Sequence, residues 1–97
     1  VNSADLKALN KKRDMYVKAL SYNSPGISLD KSLIAAFNSE INMLQFIIEN
    51  IDKPKTIEDN PYFHSWIKDT IDFHKASRSP ELEMFLRLKE YIEHTLS

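Results

Sequence analysis

Apolar residues recur along this chain at three- and four-residue spacing, the period of a helix with one face turned inward. Four segments carry the pattern. The first covers about residues 4–22, with Leu6, Leu9, Tyr16, Val17 and Leu20 on its apolar arc and Asn2 or Ser3 as cap. It stops at Asn23-Ser24-Pro25-Gly26, a strong turn signal. The second covers about residues 29–51, capped by Ser28, and buries Leu33, Ile34, Phe37, Ile41, Leu44, Ile47, Ile48 and Ile51. Asp52-Lys53-Pro54-Lys55 ends it. The third covers about 61–76: Asn60 caps it and Pro61 takes the first helical position, where a missing amide hydrogen costs nothing. Its inward residues are Phe63, Trp66, Ile67 and Ile71, with Tyr62 and Phe73 on one edge. Ser79-Pro80 repeats the cap-then-proline signal and opens the fourth, about 80–96, which buries Leu82, Phe85, Leu88, Ile92 and Leu96.

No segment alternates with the period of two that marks a strand, and no internal repeat is visible. The predicted linkers are short, about six, nine and three residues. Short linkers place successive helices antiparallel, so the expected fold is all-α, an up-and-down four-helix bundle. A three-helix arrangement with a long second hairpin arm is the alternative. All 97 residues are expected to form a single domain. Because the first residue is Val1 rather than Met, a processed protein or a fragment of a longer chain is expected.

Polar residues that interrupt the apolar arcs are the informative ones. Arg13 falls in the arc of the first helix, Glu40 in that of the second, and Thr70 and His74 in that of the third. At a rise of about 1.5 Å per residue, antiparallel helices bring these four to one level, which predicts a buried polar layer. An Arg13–Glu40 ion pair, with His74 donating to Glu40 or Thr70, would satisfy it and fix the helix register. The same residues could instead line a small-ligand or acid–base pocket, since a carboxylate beside an imidazole tunes it near neutral pH.

Composition narrows the chemistry. There is no Cys, which excludes disulfides and thiolate catalysis and fits a cytoplasmic setting. The longest apolar run, Leu33 to Phe37, is far shorter than the ~20 residues of a membrane span. Glu90 and His94 stand four apart, not at the Glu-x-x-His spacing of di-iron bundles, so neither metal nor cofactor is expected. The only Gly is Gly26, so no phosphate-cradling loop exists. His74-Lys75-Ala76-Ser77 differs from the active segment of histidine phosphotransfer domains. In that family the Lys lies three residues after the His and a Gly follows. No catalytic residues are expected, and the chain is read as a non-enzyme.

Surface features then decide the functional reading. Net charge is −1, but residues 1–27 carry five Lys or Arg against two acids, while 56–97 carry five against eight. Lys7, Lys11 and Lys18 form a stripe opposite the core of the first helix, interrupted by Asp14. Such a stripe could meet nucleic-acid phosphates. No aromatic residue is interleaved with it, so nucleic acid is disfavoured. Phe46 lies about 160° from the centre of the second helix's apolar arc, and Met15 and Tyr22 lie at or beyond the edge of the first helix's arc. These three, with Lys7, Lys11 and Lys18, are the candidate partner-binding residues. The expected function is a small interaction module, an adaptor, inhibitor or immunity/antitoxin-like protein, that binds another protein or itself through helix surfaces.

Overall fold

The computed structural model describes residues 2–21 and 30–95. The described residues are all-helical, without strands, in the order α1 (Ser3–Ser21), α2 (Lys31–Glu49), α3 (Pro54–Glu58), α4 (Pro61–Ala76) and α5 (Leu82–His94). They fall into two compact units, Asn2–Glu49 and the chain from Asn50 onward.

In the first unit, α1 and α2 pair as an antiparallel hairpin. Tyr16 meets Phe37 with ring centroids 5.4 Å apart, and Arg13, a turn earlier, reaches Gln45, two turns later. Asn2 caps α1: its Oδ1 accepts the Asp5 amide at 2.8 Å, satisfying one of the amides a helix start leaves unpaired. Asp30 does the same for α2, accepting from the Ser32 amide at 3.2 Å and the Ser32 hydroxyl at 2.9 Å. The expected cap Ser28, and Leu29, lie outside the described residues.

Leu9, Leu44 and Ile47 are fully buried, but Val17, Leu33 and Ile34 are exposed, contrary to the wide apolar arcs read from the sequence. Burial varies along the hairpin more than around it: Leu33 lies only about 20° from the buried Leu44 on α2, but at the opposite end of the helix. Leu6, Tyr16, Leu20, Phe37, Ile41 and Ile48 lie between these limits, half-buried.

In the second unit, α3, α4 and α5 pack on one another. Phe63, Ile67 and Ile71 of α4, with Met84, Phe85, Leu88 and Ile92 of α5, form its buried apolar set. The short helix α3 lies where the sequence pattern predicts a loop. Pro54 opens it as Pro61 opens α4, and both Pro54 and Ile57 are buried. The lysine before Pro54 makes no side-chain cap, which removes the signal that marked the other helix starts. Tyr91 of α5 donates its hydroxyl to the Ile51 carbonyl at 2.6 Å, anchoring the segment that leads into α3.

The α4 boundaries agree with the predicted 61–76, and Asn60 Oδ1 accepts from the Tyr62 amide at 2.8 Å. The other ends differ by a turn or less. Residues 50–52 form a turn rather than the end of α2, and Pro80 and Glu81 form a turn before α5. Leu96 lies outside the described residues.

Candidate functional site

Arg13 is engaged within the hairpin. Its Nη1 donates to Gln45 Oε1 at 2.8 Å, and Nε and Nη2 donate to Asp14 Oδ1 at 3.1 and 3.0 Å. The partner across the hairpin is therefore Gln45, not the expected Glu40. A long guanidinium side chain reaches past its own level, and a neutral amide accepts from it without a second charge having to be desolvated. Glu40 is half-buried and has interactions of its own. Thr70 is half-buried on α4.

His74 is buried, as its place on the apolar arc predicts, but its carboxylate neighbour comes from the turn that precedes α5. Its Nε2 lies 3.6 Å from Glu81 Oε2. Its ring stacks on Phe85, with centroids 4.9 Å apart and planes at 23°, and meets Phe73 edge-on at 5.3 Å. The turn between α4 and α5 builds this pair. Ser79 donates its amide to the His74 carbonyl at 3.0 Å and Arg78 donates to Lys75 at 3.2 Å, the paired bonds of a Schellman ending. That ending needs a left-handed residue, and Arg78 supplies it with φ of 54°. Ser79 Oγ then accepts the Glu81 amide at 3.1 Å. Ser77 donates its hydroxyl to the Phe73 carbonyl at 2.9 Å.

A second histidine links three elements at the surface. His64 Nε2 lies 2.7 Å from the Glu58 carbonyl of α3, and its Nδ1 lies 4.0 Å from Glu93 of α5. Glu93 is also paired with Lys89 at 3.0 Å. Among the described residues, no three His, Asp or Glu side chains stand close enough together to hold a metal ion.

The surface candidates separate. Lys7, Lys11 and Lys18 are exposed on α1, and so is Met15. Phe46 is half-buried and makes contacts of its own, so it is not the free aromatic that its angular position predicts. Tyr22 lies outside the described residues. Among the described residues, the most exposed large hydrophobic side chains are instead on α4: Tyr62 at 76% and Phe73 at 66%. The sequence placed both on the edge of the core arc. What it lacked was the exposure of these two side chains.

Tyr62, Trp66, Asp69 and Phe73 follow one another at spacings of four, three and four, so they fall along one stripe of α4. Trp66 is half-buried. Its inner side meets Phe63 at 6.3 Å and Phe85 edge-on at 6.0 Å.

Among the described residues, no helix is long and apolar enough to cross a membrane. No family model, curated protein or solved structure matches the chain.

Proposed function

We propose that this chain is a small helical interaction module that binds another protein through exposed helix surfaces, as an adaptor, inhibitor or immunity/antitoxin-like protein. In this reading its four long helices assemble as an antiparallel up-and-down bundle in the cytoplasm. The observation that carries it is the exposure of two large aromatic side chains, Tyr62 and Phe73, on one stripe of α4. Aromatic side chains anchor protein interfaces because each removes a large, rigid apolar area from water when covered. Met15, Val17, Leu33 and Ile34 add further uncovered apolar area on the hairpin.

The ligand-binding alternative, built on Arg13, Glu40 and His74, has less support. Arg13 is already engaged by Gln45 and Asp14, and the His74 ring is packed against Phe73 and Phe85. The lysine stripe of α1 remains available to a polyanion, which supports the nucleic-acid reading only by charge.

The test is affinity capture from source lysate with the wild-type chain and a Tyr62→Ser/Phe73→Ser variant in parallel, quantified by mass spectrometry. The expected outcome is a protein enriched by the wild type and lost with the variant. No protein enriched above the bead control, together with a small molecule whose binding is lost in Glu81→Gln, would overturn the reading in favour of the ligand-binding class.

A further inference from the structure

Resting on that interaction reading, we propose that the Tyr62–Trp66–Asp69–Phe73 stripe of α4 is a docking face for a basic amphipathic helix. Two observations fix the partner's chemistry. The first is spacing. Steps of four, three and four are those of a seam along which two helices lie side by side, and the stripe runs eleven residues, roughly 16 Å at the helical rise. An aromatic seam of that length fits a helix of about three turns better than a globular surface.

The second observation is charge. Asp69 is exposed in the middle of the stripe and has no ion-pair partner among the described residues. The lysines of α4 do not serve it. Lys68 is paired with Asp72 at 3.2 Å, and Lys75 projects from the far side of the helix, about 120° from the Asp69 direction. A carboxylate between Trp66 and Phe73 is matched by an Arg or Lys. The cation meets the carboxylate while its planar or methylene part lies on the rings. A helix with an acidic residue at that position is repelled, so the same group that admits a basic partner excludes an acidic one.

The sole tryptophan of the chain reports on this face. The experiment titrates the full chain with two synthetic helical peptides that share an apolar seam. One carries Arg flanking the seam and the other carries Glu. Trp66 emission and calorimetry are the readouts, in low and high salt. The basic peptide is expected to bind saturably, and Asp69→Lys should weaken it at least about tenfold, as like charges meet across the interface. Asp69→Asn should weaken it less, and Tyr62→Ala/Phe73→Ala should abolish it. All these side chains are exposed, and unchanged far-UV circular dichroism checks that each variant is folded.

Equal binding of the acidic peptide, or binding unaffected by Asp69→Lys, overturns the proposal. So does a Trp66 change that follows protein concentration without peptide, which would make the occupant a second copy of this chain. If partner capture from lysate persists while the basic peptide fails, the docking proposal falls and the interaction reading stands. Failure of both removes both.

Discussion

Replacing Phe85 with Ala removes the side chain on which the second unit is built. Phe85 is fully buried, stacks on His74 at 4.9 Å and meets Trp66 edge-on at 6.0 Å. An enclosed Phe truncated to Ala costs about 3–5 kcal/mol, the lost transfer of the ring plus the cavity left behind. For a chain of this size, whose whole stability is on the order of 5–15 kcal/mol, that is a large share. With a urea slope of about 2 kcal/mol/M, the unfolding midpoint should fall by about 2 M.

Phe85→Leu is the control. It retains most of the buried volume and loses only the ring faces, so it should cost about 1–1.5 kcal/mol. Trp66 emission is the assay of choice because the indole touches the mutated ring and belongs to the same unit. Far-UV circular dichroism follows the helices of both units alongside it. A Phe85→Ala cost below about 1 kcal/mol, or one equal to that of Phe85→Leu, would show that no cavity forms and would refute the argument.

Three further outcomes follow from single features. Ile57→Ala should cost about 2–4 kcal/mol in the same urea assay, because α3 contributes a fully buried side chain rather than a solvent-facing loop. Arg78→Gly should stabilise the chain by about 0.5–1 kcal/mol, read as a raised Tm. It relieves the left-handed φ of 54° at the α4 ending, less the extra freedom Gly gains when unfolded. Asp30 is held below its ordinary value, first by the Ser32 hydroxyl and then by the Ser32 amide. A lowered folded value means the cap's contribution is present above the unfolded value and is lost as pH falls through the folded one. The first amides of α2 should therefore show lower protection factors at acid pH, once exchange rates are corrected for their intrinsic pH dependence, and Asp30→Asn should flatten that change.

The helical period carried most of the fold and little of the site. It located four of the helices because each carries a long apolar stripe in its sequence and three begin at a side-chain cap. It missed α3, since five residues hold barely more than one helical turn and the period cannot register in so short a span. Pro54 followed by Ile57 three residues later was the available signal, a helix-opening proline with an inward residue one turn on. The predicted polar layer failed at Arg13 for a different reason. Angular position says which way a side chain leaves its helix but not where a long, flexible one ends, and Gln45 was an acceptor within reach.

His74 shows what periodicity does settle and what it leaves to chain reversal. Its burial follows from position on the arc, as does that of Ile67 and Ile71. Its partner does not. Glu81 lies seven residues further along, beyond a turn whose left-handed residue is an arginine, and nothing in the apolar spacing marks that turn as tight. Exposure obeys the same logic in reverse. Phe46 and Tyr62 both belong to helical segments and both lie off the centre of their arcs. One is half-covered and the other open to solvent, and a single helix's pattern contains no term for what lies beside it. The α4 stripe is legible as a docking face only once its neighbours are known. Three aromatic side chains and one carboxylate at seam spacing read as the edge of a core until the structure leaves Tyr62 and Phe73 in water. The uncovered area then becomes the reason to expect a partner, and Asp69 the reason to expect a basic one.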